Sequence, residues 1–270
     1  MRTLSLASGT LEEFGPLTVL QAAEAAEFDA CGIWYDASTW SHRTTRELKQ
    51  AFRSSAVVPL EIEVIILGNP ADTDTHKRLL DAGADIGATE AIVVSSVAEP
   101  SQVADLLEPL CAHAHRMDIN LCLEFLPIFA IKDLAGALEV LERVDRRNAK
   151  LLIDPLHLAR AGSTPAALAD LDEDLFSFAQ FCDAPAELGQ PATFDALFEE
   201  ALHGRVNPGD GGLPLAELLE RLPPSVPLSL EVRSRALREA FPDAVDRARN
   251  VHAATRAFLA RADGHSSRGR

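Results

Sequence analysis

Aromatic residues are scarce in this chain, 6% of 270 positions, so Ala and Leu must do most of the core filling. Positive charge is also short. Against 41 acidic residues stand 25 Lys and Arg, which gives a formal net charge of −16 and a sequence pI near 4.9. Such a balance repels phosphate backbones and points away from nucleic-acid partners. Acidic surface is equally an ordinary device for solubility. Four cysteines occur, Cys31, Cys111, Cys122 and Cys182, with no CxxC pair. Cys31, Cys122 and Cys182 lie in or beside apolar runs, and the set reads as buried free thiols of a reducing compartment. A thiolate zinc site is disfavoured on the same grounds. The opening residues, MRTLSLASGTLEEFGP, contain no long apolar h-region, so no signal peptide is expected. No uninterrupted apolar run approaches the roughly 20 residues of a membrane span. The expectation is a soluble, cytoplasmic protein with neither membrane nor nucleic acid as partner.

What is present is a rhythm. Hydrophobic residues make up 47%, ample for a large core. Short apolar runs occupy 3–7, 30–34, 60–67, 91–94, 119–125, 149–153, 176–182 and 227–232. They are mostly continuous, as in strands buried on both faces. Amphipathic segments separate them. PSQVADLLEPLCAHAHRM carries Pro100 where a first helical turn tolerates it, and Thr164 before Pro165 reads as an N-cap of TPAALADL. Strand then helix, eight times, predicts an α/β fold: one (β/α)8 TIM barrel over 1–262. The polar tail 263–270, DGHSSRGR, is expected to be disordered. A doubly wound sheet is the weaker alternative, because SLASGTLEEFG makes a poor GxGxxG.

In such a barrel chemistry sits where strands end. The fifth run delivers Glu124 and the sixth Asp154. The seventh delivers Gln180 and Asp183, and the eighth Glu231 and Arg233. An ionised carboxylate in an apolar run is costly unless paired or bound to a metal. Three carboxylates at one mouth cannot stabilise each other, because like charges repel. A divalent cation with oxygen ligands answers all three. His157 and Arg160 then lie on a loop above the ion, in reach of what it holds. Structural alternatives stay open. Glu124 and Glu231 can pair with Arg160 or Arg233, Asp154 can make an Asx turn before Pro155, Gln180 can cap the barrel, and His157 can be a satisfied core residue. Glu61 and Glu63 flank Ile62, and either can face inward or outward. His42, His76, His113, His115, His252 and His265 fall in helical or loop stretches and receive no chemical role.

The segments LCLEF, LLIDPLHLARAG, FAQFCDAP, HGRVNPGDGGLPL and LSLEV together resemble the sugar phosphate isomerase/epimerase family of xylose-isomerase-like TIM barrels. The resemblance covers nearly the whole chain and is sharpest over 121–233. It implies one divalent metal on Glu124, Asp154, Gln180 and Glu231. It also implies substrate contacts from His157 and Arg160, and a loop carrying His203, Arg205 and Gly209 over the site. Many members carry His where this chain carries Gln180. An amide oxygen shifts the preference from Zn2+ toward Mn2+, Mg2+ or Co2+. The same set resembles that of bacterial 3-dehydroshikimate dehydratases on this barrel. A DNA-repair endonuclease branch, which uses several zinc ions and many histidines, is set aside on histidine placement and charge.

The implied activity is isomerisation or epimerisation of a small polyhydroxylated carbonyl compound through a metal-stabilised enediolate. Glu124 and Glu231 exchange the proton with His157 nearby, and Arg160, Arg205 and Arg233 grip substrate oxygens. Dehydration is the alternative where a leaving hydroxyl lies β to the carbanion. A non-catalytic binding barrel is the alternative from another class. The expected partner is a small polar substrate, anionic if the arginines face it, and a homo-oligomer is left open.

Overall fold

Eight parallel strands form the sheet in the computed structural model, which describes residues 2–266. They are β1 Leu4–Leu6, β2 Ala30–Trp34, β3 Val58–Leu67, β4 Glu90–Ser95, β5 Asn120–Glu124, β6 Ala149–Leu152, β7 Ala179–Gln180 and β8 Leu228–Leu230. The helices among the described residues are α1 Pro16–Ala25, α2 His42–Ser54, α3 Thr73–Ile86, α4 Pro100–His115, α5 Leu134–Arg143, α6 Pro155–Arg160, α7 Phe194–His203, α8 Leu215–Arg221, α9 Arg235–Ala240 and α10 Ala244–Ser266.

Neighbouring strands follow the order β6-β5-β4-β3-β2-β1-β8-β7. Strand β1 pairs with both β2 and β8, so the sheet curls on itself. Between β6 and β7 there is a single parallel bridge, Ile153 to Ala179, closed by the Gln180 amide donating to the Ile153 carbonyl at 3.0 Å. The result is a nearly closed barrel with a seam.

Side chains alternate along a strand, which divides each apolar run between two environments. On β5, Leu121 and Leu123 join the main core beneath the helices. Cys122 joins a separate inner cluster with Leu60, Ile92, Leu152 and Phe178. Glu124 shares the inward parity of Cys122. By the same count Asp154 follows Leu152, Gln180 follows Phe178, and Glu231 follows Ser229. The continuous runs are therefore needed on both faces, and the final inward position of each strand is the one left for chemistry.

All eight expected strands are present. The run at 176–182 contributes only a two-residue strand. The segment read as a helix at 164–171 is a 3-10 turn, Pro165–Leu168, and Thr164 makes no side-chain cap bond. A helix begins earlier instead. Asp154 caps α6 and Pro155 fills its first position, so His157 and Arg160 ride on a helix and not on a loop. Of the tail at 263–270, α10 continues through Ser266, and 267–270 lie outside the described residues. The four cysteines are all buried and unpaired, as expected. Among the described residues no helix is long and apolar enough to cross a membrane.

Candidate active site

Asp154 divides its two oxygens between two tasks. Oδ1 accepts from the backbone amides of Leu156 at 2.7 Å and His157 at 3.3 Å, which caps α6. Oδ2 faces inward and accepts from Arg205 Nη1 at 2.6 Å. The Asx reading is thus realised by one oxygen, while the other turns to the mouth and is held there by Arg205. The capped turn carries His157 back over the strand ends, where its Nε2 lies 3.8 Å from Glu124 Oε1. Ligand atoms of Glu124, Asp154 and His157 all lie within 4.8 Å of one another, a buried cluster able to hold a metal ion. On the neighbouring strand end, Gln180 is buried and its Oε1 has no hydrogen-bond partner. Glu231 lies outside the group of Glu124, Asp154 and His157 and is linked to it through Arg205. Its Oε2 is 3.1 Å from Arg205 Nη1, and its Oε1 accepts from Arg233 Nε at 3.1 Å.

Arg205 was expected on a loop over the substrate, but its guanidinium is buried inside the cluster. Besides Asp154 and Glu231 it reaches the Ala201 carbonyl at 3.0 Å, Cys182 Sγ at 3.4 Å and His157 Nε2 at 3.3 Å. The segment that follows it is held down by Asp183, whose carboxylate accepts from the amides of Ala184, Gly209, Gly211 and Leu213. Gly209 has φ +93°, and a Cβ on Gly211 would strike Asp183 and the Ala184 backbone. This explains the glycines of NPGDGG and the place of Asp183 just past β7.

Two expected site residues are not brought to the cluster. Arg160 grips Glu200 with Nε and Nη2, both at 2.7 Å, and the carbonyls of Pro185 and Ala186. The last turn of α6 faces α7, where Glu200 waits, so this arginine ties α6 to α7 and to the turn after β7. His203 Nδ1 is bonded to Arg238 at 2.8 Å. Glu63 was left undecided from the sequence and does point inward. It accepts from Ser8 Oγ. Glu61 lies deeper, fully buried, and accepts from Ser5 and Ser229 hydroxyls. A Cβ on Gly32 would strike the Glu61 carboxylate, so the glycine makes room for it.

Electrostatics follow from this crowding. Burial pushes the Glu124 carboxyl well above the usual range, and the nearby Asp154 and Glu231 add to it. Burial also acts upward on Asp154, but the Arg205 charge, with the hydrogen bonds from Arg205 and from the His157 backbone amide, outweighs it and holds Asp154 below its ordinary value. His157 is pushed down to about 4, chiefly by burial, so its ring is neutral near pH 7. The neutral ring accepts at Nε2 from Arg205, which assigns its proton to Nδ1. Burial raises Glu61 to about 8 and Glu63 to about 7, with Glu231 adding to the second. Glu63, Glu124, Asp154 and Glu231 thus crowd four carboxyl groups around the two guanidiniums of Arg205 and Arg233. An orphaned amide oxygen and carboxyl groups that outnumber the guanidiniums, with Glu124 pushed upward where no cation offsets it, fit a divalent cation.

A cavity of about 620 Å3 opens beside this cluster, off the ends of β1 and β2. Ser8, Gly9 and Arg233 line its inner end, and Trp34, Trp40 and Phe14 contribute aromatic wall. A Cβ on Gly9 would lie 2.5 Å from Glu231 Oε1, so the cavity meets the carboxylates at this glycine. The strand-end rule, applied from the sequence only to strands five to eight, would have found Trp34 had it been applied to the second.

Fold and mouth together define a TIM barrel whose C-terminal strand ends carry a buried acidic cluster with metal-binding capacity. Residues 20–258 match the model of the xylose isomerase-like TIM barrel family, and the chain belongs to that family. A 3-dehydroshikimate dehydratase of Pseudomonas aeruginosa is 29% identical over an alignment of 260 positions that covers 88% of this chain and 38% of that protein. The chain therefore spans well under half the length of this curated relative. A crystal structure of the IOLI protein with a bound zinc atom superposes with a TM-score of 0.82 at 19% identity, covering 97% of this chain and 99% of that one. D-psicose 3-epimerase from Clostridium cellulolyticum H10, solved with D-tagatose, gives 0.71 at 14% identity, covering 96% and 98%. At these identities the structural likenesses establish the shared fold.

Proposed function

We propose that this chain is a divalent-metal-dependent isomerase or epimerase acting on a polyhydroxylated carbonyl compound. The observation that carries the reading is the buried Gln180 Oε1. It is an acceptor left without a donor at the strand-end level where Glu124, Asp154 and Glu231 also end. Glu124, Asp154, Gln180 and Glu231 would hold the ion. When bound, it supplies a Lewis acid that stabilises negative charge beside the reacting carbon. The oxygen-rich set favours Mn2+, Mg2+ or Co2+ over Zn2+.

The chain's own residues supply the rest. Glu124 and Glu231 approach from β5 and β8, on different sides of the mouth. One removes the proton and the other returns it. Neutral His157 offers its Nδ1 proton to a substrate oxygen. Arg205 positions Asp154 and Glu231 together, and Arg233 orients Glu231 from the other side. Arg160, spent on Glu200, stays outside the mechanism.

A second reading rests on the 29% identical relative, a 3-dehydroshikimate dehydratase. The same proton abstraction followed by loss of a β-hydroxyl would dehydrate such a substrate. Chelator-stripped protein titrated with Mn2+ by calorimetry and thermal shift should bind it. The loaded protein should exchange solvent deuterium into ketose or inosose substrates, and Glu231→Gln should abolish that exchange with the fold intact. Rising ultraviolet absorbance with 3-dehydroshikimate would select the dehydratase instead. Absence of metal binding would leave a non-catalytic barrel.

A further inference from the structure

The cavity beside the cluster has features the proposed reaction does not use. The chain holds two tryptophans, and both stand in this one wall. Trp40 is fixed, with Nε1 bonded to Thr45 Oγ1 at 2.9 Å and its ring against Tyr35 at 4.9 Å. Trp34 is not. It is 45% exposed, and among the described residues its ring has no aromatic partner. In a chain this poor in aromatics, two indoles lining one cavity supply apolar ring faces to whatever enters it. Such faces accept the C–H faces of sugar rings, while polar edges remain for hydroxyls.

Charge narrows the class. The cavity's guanidinium, Arg233, is held between Glu231 at 3.1 Å and Glu12 at 2.8 Å. Glu12 is itself anchored by Arg238. Asp36, also in the wall, is satisfied by the amide and hydroxyl of Ser38 and the hydroxyl of Thr39. Two wall carboxylates thus face one arginine that is already paired. A phosphate entering here meets repulsion and no free cation. Size adds a further limit. Pockets of roughly 300–1,000 Å3 hold drug-sized ligands. At about 620 Å3, with the acidic cluster lying beyond its inner end, this cavity has room for more than one six-carbon ring.

We propose that the cavity is a subsite for an uncharged sugar ring remote from the reacting carbons. The substrate is then an unphosphorylated molecule larger than a monosaccharide, and Glu12 is the residue that excludes anions. The inference rests on the reading of the acidic cluster as the reacting centre.

Because both tryptophans line the cavity, intrinsic fluorescence reports on it directly. Titration of the metal-loaded protein with maltose and cellobiose should give a saturable change with at least one of them. Glucose 6-phosphate should give none at the same concentrations. Trp34→Ala, which removes an exposed ring, should weaken disaccharide binding at least tenfold by calorimetry. Glu12→Gln should leave Arg233 paired with Glu231 alone, remove one wall charge and raise affinity for glucose 6-phosphate at least tenfold. No response to either disaccharide, tighter binding of the phosphate by the unmodified protein, or an unchanged affinity in Trp34→Ala would overturn the subsite. Mn2+ calorimetry on the same samples separates the two readings. Intact Mn2+ binding with no disaccharide response sinks the subsite alone, whereas absent Mn2+ binding sinks the reacting centre.

Discussion

Replacing Arg205 by Met tests whether its guanidinium is the charge that lets the cluster fold. The side chain is 2% exposed and lies 2.6 Å from Asp154 and 3.1 Å from Glu231, whose side chains are 0% and 6% exposed. Methionine keeps much of the length and removes the charge. Asp154 and Glu231 would then be buried without their shared partner, with Glu124 and Glu63 close by. Breaking a buried pair from one side costs about 3–5 kcal/mol. For a domain of this size each kcal/mol moves Tm by about 2–4 °C, so the drop should be roughly 6–20 °C. Scanning calorimetry in chelator reads it. Added Mn2+ should recover a larger share of Tm in the variant than in the parent, since a second cation then carries the compensation. Arg205→Lys keeps the charge without the fork and should fall between the two. A variant that melts within about 1 °C of the parent in chelator would refute the reasoning, because the carboxylates would then need no guanidinium.

Three further outcomes are expected. Asp183→Ala should lower Tm by several degrees and expose the amides of Gly209, Gly211 and Leu213 to hydrogen exchange, since one carboxylate serves all three. His157→Ala should cut turnover at least tenfold while metal content by plasma emission stays at that of the parent; lost metal would make His157 a ligand. Glu61 has a folded value of about 8 against an ordinary 4.5, so the folded state holds a proton there that the unfolded chain releases. The stabilisation is complete below about 4.5 and is lost as pH rises to about 8, so the parent's Tm should fall between about pH 5 and 8. Glu61→Gln should flatten that slope, and an equally steep slope in the variant would count against a buried protonated Glu61.

The barrel was legible because parallel strands covered on both faces must be apolar throughout, and helices between them must be amphipathic. The same rule made Glu124 and Glu231 stand out, as single acids ending runs that are otherwise built for burial. Asp154 was legible for the same reason, but α6 was not. Six residues are too few to show a helical period, and only the Asp154-Pro155 pair announced its start. The partner of Arg160 was hidden because Glu200 lies forty residues away, on a helix whose direction only the tertiary fold sets. Arg205 was misplaced for a related reason. A charged residue in a glycine-rich segment reads as surface, and the Asp183 clamp that draws the segment inward consists of backbone amides, which carry no side-chain signature.

Elsewhere around the barrel, rows of ladder bonds lock one strand end to the next. Between Asp154 and Gln180 the lock is one rung, Ile153 to Ala179. The gap between that carboxylate and that amide is accordingly held by fewer backbone bonds than the other joints between neighbouring strands. For the ion proposed here, such a joint would make ionic radius a weaker filter than donor chemistry.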